Sequence, residues 1–285
     1  MLQARDILAL LETLLHAHVA VGEGFVFVQQ VGHLVAEVLS PTRCAGCERP
    51  GALLCDRCLA ALVPIDPRHA CLRCGASHGD VLCTECATGD RALGVGTQEG
   101  AGRGECTEDR DRASPDRCLA AACFDGPLPR VIRTYKDAGE RRLAPVLAEL
   151  LWDAACHAEQ VAPERYGGLV SQAQGVVFVP ATAAAFKRRG FDHMEAIARE
   201  FACLADVPLC DALAKHGAGD QRKLGRADRL AGSRDLYQVV DDVQDKDLLL
   251  LDDVVTTGAT MSAAAGALRD AGARRVDALA LARVW

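Results

Sequence analysis

Two adjacent acids and a threonine-rich turn form the segment of this chain with the clearest chemistry. Residues 248–261 read LLLLDDVVTTGATM. The four leucines predict a buried strand, and Asp252 and Asp253 follow at its carboxyl end. The turn then leads into an alanine-rich stretch that predicts a helix over 260–271. Because the first N–H groups of a helix have no partner within it, this strand–turn–helix unit predicts an anion site.

The side chains of this segment indicate that the anion is a phosphate carried by a sugar. Thr256, Thr257 and Thr260 add hydroxyl donors, and Gly258, with Ala259 after it, lets the backbone approach a phosphate closely. The two acids are poor partners for a phosphate but good acceptors for vicinal hydroxyl groups. Phosphate donors beside diol acceptors predict a phosphorylated ribose as the ligand. Adjacent acids after a strand are common, so the specificity of the pattern comes from its full order.

The cysteines form an internal repeat with the spacing of metal ligands. Eight of the 14 cysteines lie in four Cys-x-x-Cys pairs, separated by 7, 12 and 8 residues. CAGCERPGALLCDRC and CLRCGASHGDVLCTEC are the same unit twice. Two pairs complete one tetrahedral site, so the repeat predicts two sequential zinc sites, while pairing of the first knuckle with the third stays open. The predicted ligands are Cys44, Cys47, Cys55 and Cys58 in one site and Cys71, Cys74, Cys83 and Cys86 in the other.

Disulfides, iron–sulfur clusters and redox dithiols are the alternatives to zinc. The first residues, MLQARDILALLETLL, are interrupted by Asp6 and Glu12 and lack a small-residue cleavage site, so we expect no signal peptide and a cytoplasmic protein. Disulfides are disfavoured there, and a redox Cys-x-x-Cys usually occurs alone. Zinc is favoured over iron–sulfur by spacing and ligand softness, in a structural role that supplies folding free energy.

Composition limits the classes of function. Half of the 285 residues are apolar and 4% are aromatic, which predicts an aliphatic core. The chain contains no run of about 18 uncharged apolar residues, so we expect no membrane span. A net charge of −7 argues against a strongly nucleic-acid-binding surface, which needs clustered Lys and Arg.

The chain divides into four predicted regions. These are an N-terminal helical segment over 1–40, a double zinc ribbon over 41–88, a flexible linker or insertion over 89–116, and an α/β domain over 117–285. In the last region, strands are predicted over 118–124, 175–179, 207–209, 247–251 and 276–281, and helices over 127–136, 142–158, 194–204 and 260–271. This alternation predicts a doubly wound, mostly parallel sheet, whose ligands bind beyond the carboxyl ends of the strands.

Cationic side chains follow other elements at the same edge of the predicted sheet. Lys136 lies at the end of a predicted helix, and the loop expected after the strand over 175–179 carries Arg188 and Arg189. A diphosphate has several negative charges, and Arg matches phosphate oxygens bidentately. These three residues are therefore candidates for holding a diphosphate. His193 is a candidate base, although a single His in a loop usually has no such role.

The segment over 248–261 resembles the ribose-phosphate-binding signature of type I phosphoribosyltransferases. In that family the two acids hold the ribose 2′- and 3′-hydroxyls of phosphoribosyl pyrophosphate (PRPP), and the threonine loop holds the 5′-phosphate. Together with the cysteine repeat, the Tyr-Lys helix end, Arg-Arg-Gly-Phe and Gln-x-x-Leu, it resembles the competence-associated ComF family, in which a double zinc ribbon precedes a phosphoribosyltransferase domain. The resemblance covers about 41–285.

The resemblance implies roles for further residues. Lys136 and Arg189 would lie near the pyrophosphate, and a loop by the active site would contain Gln221, Leu224 and Arg229. The family usually has Asn-Gln after Arg-Gly-Phe, where this chain has Asp192 and His193, and Asn after the Gln-x-x-Leu segment, where this chain has Gly232. Both departures affect loops that could shape the acceptor side.

Two hypotheses follow. The first is a transferase that uses PRPP and Mg²⁺, with an unknown acceptor, linked by the resemblance to DNA uptake or to reuse of nucleotides. Such chemistry needs no protein nucleophile, only a fixed ribose and electrostatic holding of the leaving diphosphate. The second is a non-catalytic module that senses PRPP or a nucleotide, while the zinc domain docks a competence helicase or single-stranded DNA.

Overall fold

The computed structural model of the chain describes residues 41–79, 81–84, 86–87, 114–215 and 236–284. Three predicted features lie outside these residues: the N-terminal helical segment, most of the linker, and the loop with Gln221, Leu224 and Arg229. The described residues fall into two compact units. One consists of 41–44 and 48–53, and the other of 45–47 and 54–284.

The smaller unit is a short antiparallel turn. Arg43 and Pro50 form an isolated bridge. The N–H of Gly51 donates to the carbonyl of Thr42 at 2.9 Å, and the N–H of Cys44 donates to the carbonyl of Arg49 at 2.8 Å. These bonds close the chain around the first Cys-x-x-Cys knuckle.

A four-stranded parallel sheet with the order β1-β6-β5-β2 forms the centre of the larger unit. All three pairings are parallel. The bounds are β1 Arg117–Cys123, β2 Gly175–Phe178, β5 Asp247–Val255 and β6 Arg275–Arg283, while β3 Leu213–Lys215 and β4 Tyr237–Val239 form a separate antiparallel pair. The predicted fold class, a parallel α/β sheet of the phosphoribosyltransferase type, is confirmed.

Helices cover both faces of this sheet. The helices of the described residues are α1 Asp56–Ala60, α2 Leu128–Lys136, α3 Leu143–Val161, α4 Pro163–Tyr166, α5 Ala183–Arg189, α6 His193–Ala205 and α7 Ala259–Asp270. Of these, α3, α6 and α7 pack against strands of the sheet. Leu248 and Leu250 share a core with Ala264 and Leu268 of α7. Since side chains alternate along a strand, the equally buried Leu249 points to the other face. There α3 packs against α6, and α6 contacts β2 and β5.

The cysteine-rich segment covers the open edge of β1. Pro64 forms an antiparallel bridge with Ala122. The N–H of Cys123 donates to the carbonyl of Val63 at 2.8 Å, and the N–H of Ile65 donates to the carbonyl of Ala121 at 3.2 Å. A sheet edge with unpaired N–H and C=O groups can pair with another chain and aggregate. Here the hydrogen bonds to the cysteine-rich segment pair backbone groups of that edge.

Three sequence predictions about elements were wrong. Residues 207–209 contribute one isolated bridge, between Leu209 and Val176, instead of a strand. The expected cationic loop is largely the helix α5. Strand β5 continues to Val255, so both acids lie within the strand instead of after it. Within the described ranges, no helix combines the length and the apolar character needed to cross a bilayer.

Candidate functional site

The two acids lie at the carboxyl-terminal part of β5, next to the central strand β6. Asp252 is in register with Ala280 of β6, and the carboxyl groups of both acids are almost fully buried. The N–H of Asp253 donates to Asp252 Oδ1 at 2.9 Å, and the N–H of Val254 donates to Asp253 Oδ1 at 2.7 Å. Two buried carboxylates need such partners because burying an unpaired charge is costly.

Three further side chains converge on Asp253. Its Oδ2 forms an ion pair with Lys136 Nζ at the end of α2 and lies 3.2 Å from Nε2 of His193, the first residue of α6. On the other side of the imidazole ring, Nδ1 lies 3.3 Å from Nη1 of Arg189. A guanidinium can only donate, so Nδ1 accepts and Nε2 carries the proton that is donated to Asp253. His193 is therefore held between Arg189 and Asp253.

The surroundings push the two acids towards opposite protonation states. Burial, followed by the charge of Asp253, raises the pKa of Asp252 to about 8. Burial alone would also raise the pKa of Asp253, but the hydrogen bond from His193 and the charge of Lys136 bring it below its ordinary range. A single proton on Asp252 thus lets the pair stay buried at neutral pH.

The start of α6 holds His193 in place. Asp192 caps this helix, because its Oδ1 accepts the N–H groups of Met194 at 2.9 Å and Glu195 at 3.3 Å. Its Oδ2 accepts the N–H of Ala181 at 2.7 Å, which ties the end of β2 to the helix. The Tyr135 hydroxyl donates to the carbonyl of His193 at 2.6 Å.

Helix α5 presents its cationic side chains unequally. Arg189 is mostly buried, forms the contact with His193, and lies 3.6 Å from Asp137 Oδ1 through its Nη2. Arg188 is exposed on the same turn, and the described residues give its side chain no ion pair. Of the three predicted cations, the structure brings Lys136 to Asp253 and Arg189 to His193, and it leaves Arg188 exposed.

The predicted phosphate turn leads from β5 into α7. Gly258 is the residue before the helix and has φ +79°, a left-handed conformation that favours glycine. The first helical N–H with a partner in the helix is that of Ser262, which donates to the Gly258 carbonyl at 2.8 Å. Thr256, Thr257 and Thr260 are exposed, and the Thr257 hydroxyl oxygen accepts the N–H of Ala259 at 3.4 Å. Exposed amides and hydroxyls at a helix N-terminus can bind a phosphate.

Sequence reasoning missed the β3–β4 pair beside Asp252. The Lys215 ammonium lies 5.2 Å from the ring centroid of Tyr237, and its charge acts on Asp252. The Tyr237 hydroxyl is buried and has no hydrogen-bond partner among the described residues. Strands of three residues carry too few positions for a period of two to be recognised.

Each cysteine group has the geometry of a zinc site. The sulfur atoms of a group lie within 4.8 Å of one another. Cys47 Sγ lies 3.7 Å from Cys55 Sγ, and Cys74 Sγ lies 3.7 Å from Cys83 Sγ. Four sulfurs about 2.3 Å from one zinc ion would be about 3.8 Å apart, so both groups fit. The groups that could hold a metal ion are Cys44, Cys47, Cys55 and Cys58, and Cys71, Cys74, Cys83 and Cys86.

Comparison with known proteins supports the same type of domain. Residues 175–284 match the family described as phosphoribosyl transferase domain, which covers the acids, the turn and α7. Among solved structures, the chain is similar to phosphoribosylpyrophosphate synthetase from Mycobacterium smegmatis, with 22% identity and a TM-score of 0.28. That match covers 53% of this chain and 50% of the synthetase. The chain thus spans about half the length of that protein. No curated protein matches the sequence.

Proposed function

We propose that this protein binds PRPP with Mg²⁺ and transfers its phosphoribosyl group to an acceptor. The observation that carries the proposal is the order of groups at one sheet edge. The buried pair Asp252 and Asp253 is followed at once by the open turn over 256–258 and the N-terminus of α7. The acceptors for the ribose diol and the donors for the phosphate thereby follow one another along the chain. They lie within a segment that matches the phosphoribosyl transferase domain family.

The reaction would be a substitution at the anomeric carbon. A bond forms from the acceptor to C1 of the ribose, the bond from C1 to the diphosphate oxygen breaks, and pyrophosphate leaves with the electron pair. The transition state resembles an oxocarbenium ion, so the protein has to fix the sugar and stabilise charge on the leaving group. Mg²⁺ would supply charge neutralisation through oxygen ligands of the substrate.

Lys136 and Arg189 are the groups that we propose for the diphosphate side. Without a ligand, Lys136 pairs with Asp253, and Arg189 contacts His193. A diphosphate would attract both cations, and the departure of Lys136 would leave the Asp253 carboxylate as an acceptor for a ribose hydroxyl. Arg188 is exposed and the described residues give its side chain no ion pair, so we do not assign it to the diphosphate.

Calorimetry with the zinc-loaded protein tests PRPP binding. Parent protein is titrated with PRPP in the presence of Mg²⁺, and Asp253→Asn should weaken binding at least about tenfold, because a hydrogen bond to a charged group contributes about 1.5–3 kcal/mol. Arg188→Gln serves as the matched control and should bind within about threefold of the parent. Equal binding by parent and Asp253→Asn would refute the ribose assignment.

We also propose that both cysteine groups hold structural zinc, since the sulfur spacing fits this ion. The cysteine-rich segment also exposes large apolar side chains at Leu59, Val63 and Val81. Their exposure favours a docking role for this segment, as the ComF resemblance suggests with its link to DNA uptake. The net charge of −7 makes a protein partner a better fit than single-stranded DNA.

Two measurements separate the transferase from the binding module. Pyrophosphate release in a screen of bases and amines would establish transfer, whereas PRPP binding without release would favour sensing.

A labelled single-stranded oligonucleotide at low salt tests the nucleic-acid version, because phosphate contacts make affinity fall as salt rises. Absence of a shift at low salt would exclude it.

A further inference from the structure

The last residue of β6, Arg283, is a buried cation between the second cysteine group and the sheet. Its side chain is about 5% exposed, although the strand ends at the edge where the acids and the turn lie. Its Nε donates to the carbonyl of Cys74 at 3.1 Å, and its Nη2 lies 3.8 Å from Cys74 Sγ. The guanidinium therefore contacts both the backbone carbonyl and the sulfur of Cys74, a predicted metal ligand.

The charges explain why a cation is buried here. Four thiolates around one Zn²⁺ carry a net charge of −2. In the second cysteine group, Cys71, Cys74 and Cys83 are buried. A buried Arg is costly unless it is paired, and the thiolate cluster is a partner of opposite sign. N–H groups directed at a ligand sulfur reduce its charge and orient it, as second-shell donors do in other metal sites.

The same guanidinium contacts the strand that leads into the phosphate turn. Its Nη1 lies 3.5 Å from the carbonyl of Val255 and also donates to the carbonyl of Val284. Val255 is the last residue of β5, pairs in register with Arg283, and directly precedes Thr256. One side chain therefore contacts a metal ligand on one side and the root of the turn on the other.

The knuckle that contains Cys71 and Cys74 packs directly against the sheet, so a displacement of the knuckle would also displace the strands it contacts. Gly75 has φ +70°, and a Cβ there would lie 3.1 Å from the backbone nitrogen of Ala120 in β1. The N–H of Cys118 donates to the carbonyl of Leu72 at 2.6 Å. The knuckle around Cys74 is thus fixed to β1 as well as to β6.

We propose that Arg283 is a positioning residue that couples the second metal site to the phosphate turn. It balances the charge of the metal-bound thiolates and adds a contact to the carbonyl of Val255, which also accepts the N–H of Val284 at 2.9 Å. Loss of the metal would change the charge that the thiolates place beside the guanidinium, and its contact with the root of the turn would then be less fixed. The metal half of this proposal is independent of the proposed function, whereas the turn half rests on it.

Metal release from the holoprotein tests the first half. Cobalt-substituted parent, Arg283→Gln and Arg283→Lys are mixed with excess chelator, and the loss of thiolate-to-cobalt absorption is followed. Metal should leave the second site at least about tenfold faster in Arg283→Gln, with an intermediate rate in Arg283→Lys, which keeps the charge but not the forked donors. A Cys55→Ser background, which removes the first site, assigns the phases.

Arg117→Lys is the matched control. Arg117 is a partly buried strand residue that pairs with Asp277 at the opposite end of the sheet, so its change should leave metal release at the parent rate. Parent-like release in both Arg283 variants would overturn the proposal. If Arg283→Gln fails to fold, the release rate of Arg283→Lys decides.

The turn half is tested by PRPP titration of the same proteins. The Arg283 variants should bind PRPP about tenfold more weakly. In the parent, bound PRPP should raise the chelator concentration that removes half of the metal at equilibrium, because coupling between binding affinities is reciprocal. Faster metal release with unchanged PRPP affinity would refute coupling while retaining the charge role. Absence of PRPP binding in the parent would refute the proposed function and leave the metal-release result standing.

Discussion

Asp252 and Asp253 are neighbours with the same side chain, but their environments differ. Asp253 is paired with Lys136 and His193, whereas Asp252 accepts one hydrogen bond among the described residues, from the N–H of Asp253. The sequence predicted both acids and Lys136 because order along the chain identifies them. It could not predict the contact of His193 with Asp253, since 60 residues separate the two and only the packing of α6 on β5 brings them together.

The raised pKa of Asp252 predicts a pH dependence of stability. An acid with a higher pKa in the folded than in the unfolded state binds more protons when folded, so it stabilises the fold at low pH. That stabilisation is lost as pH rises from about 4 to about 8 and is absent above. The expected loss is at most about 6 kcal/mol, the limit set by a shift from 3.8 to about 8.

Urea unfolding of parent and Asp252→Asn between pH 5 and pH 9 measures this effect. The amide does not titrate, so the free energy of unfolding of the parent should fall relative to that of the variant as pH rises. Asp277, whose pKa burial also raises, is common to both proteins and cancels in the difference. Parallel curves would show that Asp252 has an ordinary pKa.

His193 provides a second prediction for single residues. With Lys136 engaged by a diphosphate, the His193 Nε2–H would be the remaining side-chain donor that orients Asp253 among the contacts found here. His193→Gln keeps an N–H donor and should bind PRPP within about threefold of the parent. His193→Leu lacks it and should bind about 10–100-fold more weakly. Calorimetry measures both, and equal affinity of the Leu variant would remove His193 from the site.

Among the elements, α5 has boundary residues that indicate a helix although its interior lacks a helical pattern. The N-cap Thr182 accepts the N–H of Ala185, and Gly190 at φ +74° ends α5, so both boundary residues are typical of a helix. Seven residues with three adjacent cations lack an apolar period, and the segment was therefore predicted as a loop. The unequal exposure of Arg188 and Arg189 follows from the helix, because adjacent helical residues point about 100° apart.

Asp192 is the N-cap residue of α6. Asp and Asn are about equally good N-cap residues, so Asp192 performs the capping that Asn would perform. Asp192→Ala should lower the free energy of unfolding by about 1–3 kcal/mol, since it removes the cap and the bond to Ala181. Asp192→Asn should change it by less than about 1 kcal/mol. Urea unfolding checks both, and similar losses in the two variants would contradict the cap assignment.

For the whole molecule, the alternation of strands and helices was sufficient to predict the parallel sheet. Buried leucines in β5 and alanines and leucines in β6 are continuous apolar runs, as expected for strands covered on both faces. The pairing of Val63 and Ile65 with β1 could not be predicted, because the intervening residues carry no periodic pattern and edge pairing depends on the assembled sheet. The same applies to the contact of Arg283 with Cys74, across 209 positions of sequence.

Metal content and folding should be linked, because residues 54–87 and the sheet belong to one compact unit. We expect two zinc ions per chain in the parent and one in Cys83→Ser, which removes a buried ligand of the second site. A metal bound only by the folded state stabilises it, so the variant should unfold at lower urea concentration. Cys203→Ser, at an exposed cysteine of α6, should retain two zinc ions and parent-like unfolding. Elemental analysis and urea unfolding of the three proteins measure both quantities. Two zinc ions in Cys83→Ser would show that this cysteine is not a ligand, whereas one zinc ion with unchanged unfolding would show that the second site does not support the sheet.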